Sequence, residues 1–207
     1  MTGTTSLTRT ERQRLERDVI LRAAFGLIGR SRDEAVSVQQ ILDSAELSTR
    51  AFYRHFRSKD ELILTMFRTA ADRVAAEMSE VIARADGPAA AVEAWIHRQL
   101  AVVYDPKRAR QTSVLTSAEA RAAVGFDQVD QEAATVRRTM LAEVIRRGKR
   151  EGAFPLAEQP DEDARAVTSV VGGLIQARLV GDTGPGWAEA TLHTTRLFLR
   201  AFGAANT

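Results

Sequence analysis

Ser37-Val38-Gln39-Gln40-Ile41-Leu42-Asp43-Ser44-Ala45-Glu46-Leu47-Ser48-Thr49-Arg50-Ala51-Phe52-Tyr53-Arg54-His55-Phe56-Arg57-Ser58-Lys59-Asp60-Glu61-Leu62 holds two short apolar stripes parted by a tight turn, with a third beginning at its end. Val38, Ile41, Leu42 and Ala45 recur at helical spacing and predict a helix over about 38–45. Ser37 and Gln40 have the capping-box spacing at its start. After the turn at Glu46-Leu47, Ser48 can cap a short helix running through Phe56, with Phe52 and Phe56 one turn apart and facing inward. Ser58 and Glu61 repeat the box spacing and open a long helix striped by Leu62, Met66, Phe67, Ala70 and Val74. Two short helices joined by a tight turn form a helix-turn-helix. Its first helix braces the second, which is then free to lie in a major groove. The outward positions of the second helix suit that role: Thr49, Arg50, Tyr53, Arg54 and His55, followed by Arg57 and Lys59. Lys59 stands in the first turn of the next helix, where free N–H groups and the helix dipole also attract a phosphate. A solvated basic face on an ordinary helix hairpin would carry the same pattern, and pattern alone leaves both readings open.

Upstream, Ile20, Leu21, Ala24, Leu27 and Ile28 predict a helix over about Thr10 to Gly29. Downstream almost everything reads as helix, with the five prolines at breaks. Helices are expected from Gly87-Pro88 to Val103, over about Lys107–Thr116, and over about Asp127–Glu151. The eighth and ninth cover about Asp161–Val180 and Trp187–Phe202, separated by Gly184-Pro185-Gly186. The expectation is an all-α protein of about nine helices. Residues 1–60 would form a three-helix domain that carries the helix-turn-helix, and residues 61–207 a larger helical domain.

The bulk properties agree with this and exclude much else. Hydrophobic residues make up 44% of the 207, enough to build a packed core. No apolar run reaches the ~18 residues of a membrane span. The Thr-rich first ten residues lack the apolar core of a secretory signal. The chain has no cysteine, which removes disulfides, thiolate metal sites and thiol nucleophiles. A cytoplasmic location is the resulting expectation. Net charge is +2, but residues 1–60 carry 11 Lys+Arg against 8 Asp+Glu, so the excess lies beside the helix-turn-helix.

The quoted stretch closely resembles the DNA-binding domain of the TetR family of repressors, above all in Phe52-Tyr53-Arg54-His55-Phe56-x-Ser58-Lys59-x-Glu61-Leu62. Ile20-Leu21, Ala24 and Leu27-Ile28 are similar to that family's first helix, so the resemblance covers about residues 15–67. It implies roles for individual residues. Tyr53 and His55 would contact phosphates, and Lys59 would hold the DNA backbone. Thr49 and Arg50 would face base edges, while Ser37 and Gln39 would touch the flanking backbone. Ser48 and Arg54 complete the candidate DNA-binding set, and Phe52 and Phe56 would be core. Two positions depart from the pattern: Glu46 stands where the turn usually carries glycine, and Arg50 where a small residue is common. Arg9, Arg12 and Arg14 suit either a phosphate-contacting arm or a solvated tail. The function implied is a ligand-responsive repressor, with residues 1–60 as its DNA-binding domain and residues 61–207 as its ligand-binding and dimerisation domain. It would bind a palindromic operator as a dimer and be released by a small, mostly apolar effector, with no cofactor.

Other candidates carry less. Glu93 and His97 share a helical face, a spacing that can serve a metal, but with three histidines and no cysteine in the chain a structural or ligand-facing histidine is the expected reading. Asp161, Glu162 and Asp163 suit a helix N-terminus. Trp95, Gln99, Tyr104 and Phe126 are candidate ligand-binding residues, or else plain core. Val167, Val170, Val171, Leu174, Ile175 and Leu179 make the eighth helix apolar beyond one stripe, and Gly172-Gly173 would admit a close backbone. Leu197, Phe198, Ala201 and Phe202 make the ninth helix its natural partner, and the resemblance implies a homodimer interface here, four helices about a two-fold axis. No Walker A, G-x-G-x-x-G or G-x-S-x-G sequence occurs, so an enzyme is not expected. The alternatives are an all-helical small-molecule-binding protein or enzyme with an incidental basic helix, and a helical adaptor.

Overall fold

The capping signals decide where the helices start. In the computed structural model, which describes residues 8–31 and 35–204, ten α-helices are present among the described residues. They are α1 Arg9–Ile28, α2 Val38–Ala45, α3 Thr49–His55, α4 Lys59–Ala83, α5 Pro88–Tyr104, α6 Pro106–Leu115, α7 Ala118–Arg121, α8 Phe126–Arg150, α9 Pro160–Leu179 and α10 Trp187–Ala201. The four-residue α7 is the element that apolar periodicity misses, being too short to show a period. Thr8 and Glu11 form a capping box on α1, and Ser37 and Gln40 form the expected one on α2. Ser48 Oγ accepts the Ala51 amide at the head of α3. At α4, Ser58 Oγ accepts the Glu61 amide, but the Glu61 carboxylate takes the Arg57 amide at 2.6 Å. Pro88, Pro106 and Pro160 each stand at a first helical position, where a missing N–H removes no bond.

The chain divides into two compact units. The first runs to Arg68 and takes in Ser113–Asp127; the second comprises Thr69–Thr112 and Gln128–Thr207. The first unit is thus not one continuous stretch of sequence. Its core joins Ile20, Ala24 and Ile28 of α1 to Ile41, Leu42, Phe52 and Phe56, and adds Leu62, Met66, Val114, Ala120 and Phe126. Phe52 and Phe56 lie 5.7 Å apart between ring centroids and are 0% and 2% exposed. Truncating such a ring to alanine removes about 3–5 kcal/mol.

In the second unit α5 packs on α9 and α10. Val92, Trp95, Ile96 and Leu100 of α5 meet Leu141 and Ile145 of α8, Val167 and Val171 of α9, and Phe198. The end of α8 closes through Gly152 at φ +74°, a left-handed position that glycine takes without strain. The chain then turns so that Phe154 is fully buried against Gly148, where a β-carbon would stand 2.1 Å from the Phe154 ring. No helix among the described residues is long and apolar enough to cross a membrane.

Candidate nucleic-acid interface

Seven-residue α3 presents two faces because Ala51 and Phe52 turn inward onto α1 and α2. The other side is left to solvent: Ser48, Thr49, Arg50, Tyr53 and Arg54 are exposed. Tyr53 is 60% exposed, and its ring is braced edge-on by Phe52 at 5.3 Å. A rigid aromatic base beneath an exposed hydroxyl positions a hydrogen-bond donor with little loss of rotamer freedom. Ser37 and Gln39 are also exposed at the head of α2. The Ser37 hydroxyl is engaged as cap, and the Gln39 side-chain amide donates to Asp43 Oδ1 at 2.7 Å.

Arg54 and His55 converge on Glu16 of α1. Arg54 Nη2 lies 3.0 Å from Glu16 Oε2, and His55 Nε2 lies 3.2 Å from the same oxygen. The two differ in access: the His55 side chain is 8% exposed, and the Arg54 side chain 45%. His55 thus stands between α3 and α1, not on the outer surface. Arg54 joins Arg9, Arg12, Gln13 and Glu16 around a shallow hollow of about 380 Å³. Arg9 and Arg12 belong to the first turn of α1, capped at Thr8, so they are part of a helix and not of a tail. Arg17 lies over the Phe56 ring at 5.5 Å. Glu16 carries no motif signal; only folding brings it to α3, 39 residues on.

The turn between α2 and α3 is built on Glu46. With φ 54° and ψ 38° it is the only non-glycine residue with positive φ among those described. The amide of Leu47 reaches back to Leu42 O at 3.1 Å, which closes the helix end. A left-handed side chain is therefore held where a glycine would be unstrained.

Lys59 opens α4, and its ammonium pairs with Glu119 of α7. The same Glu119 oxygen, Oε1, accepts the amide of Val36 at 3.1 Å, just ahead of α2. Lys59 is half-buried, with 27% of its side chain exposed.

The four candidate ligand-binding residues fall in both units. Phe126 belongs to the core of the first unit, edge-on to Phe67 at 5.0 Å. Trp95, Gln99 and Tyr104 lie on α5 in the second unit. Trp95 is fully buried and donates from Nε1 to Arg137 O at 3.1 Å. Tyr104 donates its hydroxyl to Pro185 O at 2.9 Å and lies under the Arg178 guanidinium. His97 stacks on Trp187 at 4.3 Å and 15°. Among the described residues no group of three His, Cys, Asp or Glu could hold a metal ion.

Buried polar groups mark the same unit. Arg98, whose side chain is 7% exposed, gives Nε and Nη2 to Glu77 at 3.0 and 2.8 Å, and Arg108 meets the same carboxylate at 2.8 Å. Burial, the largest single influence on Glu77, raises its pKa, but Arg108 and Arg98 together hold it below the usual carboxylate value. Arg98 Nη1, Thr191 Oγ1 and Thr195 Oγ1 are buried with no partner among the described residues.

The model of the bacterial regulatory proteins of the tetR family matches residues 20–66. No curated protein sequence matches the chain. Among solved structures the fold is similar to that of the transcriptional regulator FadR from Bacillus subtilis in complex with stearoyl-CoA. That pair has 14% identity and a TM-score of 0.73, over 89% of this chain and 98% of that one. A transcriptional regulator from Rhodococcus sp. Rha1 is 22% identical, with a TM-score of 0.69 over 92% and 98%. A bacterial regulatory protein in the tetR family from Rhodococcus RHA1 is 16% identical, with a TM-score of 0.68 over 92% and 98%. The match at residues 20–66 spans the helix-turn-helix and the start of α4, so that part of the chain is similar to the bacterial regulatory proteins of the tetR family.

Proposed function

We propose that this transcriptional regulator is a repressor that binds a palindromic operator as a homodimer and is released by a small effector. The observation that carries the DNA reading is the outward side of α3, where Thr49, Arg50, Tyr53 and Arg54 stand exposed on a helix whose other side is core. Arg50 and Thr49, in its first turn, would meet base edges in the major groove. Tyr53 and Lys59, with Ser37, Gln39 and Ser48 at the helix heads, would hold the phosphate backbone. Arg54, with Arg9 and Arg12, would add to that backbone contact. His55, tied to Glu16, would set the angle between α1 and α3 and touch DNA little.

The homodimer reading draws on α9 and α10. Val170, Leu179, Leu192 and Leu197 are 37–51% exposed, and Val180 is 74% exposed. Gly172 and Gly173 would have no atom within 4 Å of an added β-carbon. Apolar surface left exposed on two helices that both pack on α5 is characteristic of an interface. Ile175, by contrast, packs partly against the chain's own core. The effector reading draws on the unpartnered polar atoms of Arg98, Thr191 and Thr195, because buried donors and acceptors normally find partners. With Trp95 and Gln99 they would line an apolar site with a few polar handles. The FadR structure is in complex with stearoyl-CoA, a ligand with a long apolar acyl chain, so a protein of this fold can bind such a ligand.

A gel shift with the DNA upstream of the protein's own coding sequence tests the core of this reading. A discrete complex that survives excess unrelated duplex is expected; binding indifferent to sequence would leave the basic helix without a regulatory role.

A further inference from the structure

The pairing of Lys59 with Glu119 bears on how tightly the first unit holds DNA. Lys59 stands at the N-terminus of α4, the place in this unit where a helix dipole and a lysine coincide. In the DNA-free protein that lysine is already neutralised. Glu119 is 14% exposed in its side chain, sits on α7, and is anchored a second time by the Val36 amide. The pair is not sealed in the core: it lines a cleft of about 420 Å³ with Ser31, Asp60 and Ser117. Its two charges nearly cancel at a distance, so an approaching phosphate meets the dipole without a net ammonium charge.

We propose that Glu119 sets DNA affinity by competing with phosphate for Lys59. This rests on the DNA-binding reading above. On association the ammonium either exchanges carboxylate for phosphate, or holds both and brings two anions together. Like charges about 4 Å apart repel by about 1 kcal/mol even in water. In either case the wild-type protein gives up favourable energy that an uncharged residue at 119 would leave intact. Counterions tell the same story. A free lysine that neutralises a phosphate releases a bound cation, and each such contact adds about 0.9 to the salt slope. Where the lysine is taken from a carboxylate, the carboxylate recovers a cation and the contribution largely disappears.

Glu119→Gln is the discriminating variant, because its amide oxygen still accepts the Val36 N–H while its charge is gone. Fluorescence anisotropy would compare wild type, Glu119→Gln, Lys59→Ala and the double variant. Two duplexes serve as probes: the DNA upstream of the coding sequence and one of mixed sequence, each between about 50 and 200 mM salt. Glu119→Gln is expected to bind both duplexes about fivefold tighter at the low-salt end, the scale of one partly exposed ion pair. Its slope of log affinity against log salt should be steeper by about 0.9, and both gains should vanish when Lys59 is also alanine. Lys59→Ala alone should change the wild-type slope by well under 0.9, a result that stands even if Glu119→Gln fails to fold. Unchanged or weaker binding with an unchanged slope would make Glu119 a structural prop and overturn the proposal. So would a gain undiminished in the Lys59→Ala background, which would mean that the carboxylate repels DNA without acting through the lysine. Failure of the wild type to bind either duplex would remove the DNA-binding reading itself, a result distinct from both.

Discussion

Arg50 and Lys59 are nine positions apart and are expected to act on DNA in different ways. An arginine in the first turn of a recognition helix can donate two hydrogen bonds to O6 and N7 of a guanine. Arg50→Ala is therefore expected to lose about 1–3 kcal/mol per half-site and to relax preference at one base pair in each. Binding-site selection on both proteins reads this out; identical preferred sequences would make Arg50 a backbone clamp and move base readout to Thr49. Lys59→Ala should instead weaken all sequences alike, since a phosphate carries no sequence information. Its full effect on the salt slope is expected only once Glu119 is neutral. Glu46 gives a third test at this scale. Its left-handed conformation at φ 54° strains a side chain, and glycine relieves that strain. Glu46→Gly is expected to stabilise the protein by about 0.5–1 kcal/mol, with a higher urea midpoint and no change in DNA preference.

At the scale of the element, helix ends depend on single side chains. The end of α8 admits only glycine at 148, because any β-carbon there would overlap the buried Phe154 ring. Alanine brings better helix propensity, worth about 1 kcal/mol, but overpacking a filled site costs about 1–3 kcal/mol. Gly148→Ala should therefore destabilise despite its propensity, and an unaltered thermal midpoint would show that the ring can move aside. The junction of α4 and α5 depends on Glu77, which holds Arg98 and Arg108. Its folded pKa lies below the ordinary 4.5, so its contribution is fully present above that value and is lost as pH falls through the folded pKa. Glu77→Gln takes from the buried Arg98 the carboxylate it is hydrogen-bonded to, leaving only the more weakly acting Asp105, and is expected to lose about 3 kcal/mol at neutral pH. The same variant should show a shallower loss of stability on acidification below about pH 4.5. An acid profile identical to wild type would mean that other carboxylates govern it.

For the whole molecule, the test falls on the exposed apolar side chains of α9 and α10. A homodimer would bury Val170, Gly173 and Leu197 against their symmetry mates. Gly173→Arg tests this cleanly, because position 173 is exposed and has open space around it. The substitution should leave the subunit folded, since arginine is a better helix former than glycine. It should give a monomer by sedimentation at micromolar concentration where the wild type is a dimer, and operator affinity should fall with it. A wild type that sediments as a monomer would end the homodimer reading. Ile175→Arg is the less informative choice, since Ile175 also packs into its own subunit.

Local patterns determined much of this protein. Apolar spacing and the serine caps determined α2, α3 and the turn between them, because these signals act within one or two turns of helix. The same stretch revealed which side of α3 faces outward, since Phe52 and Phe56 can be satisfied only by burial. Pairings across the chain were left to tertiary structure. Nothing near Lys59 in sequence announces Glu119, 60 positions on, and nothing near His55 announces Glu16. Phe126 and Trp95 look alike as aromatic residues on amphipathic helices, yet one joins the core of the first unit and the other that of the second. A side chain's burial follows from its own helix, whereas its partner is decided by whichever distant segment the fold brings alongside it.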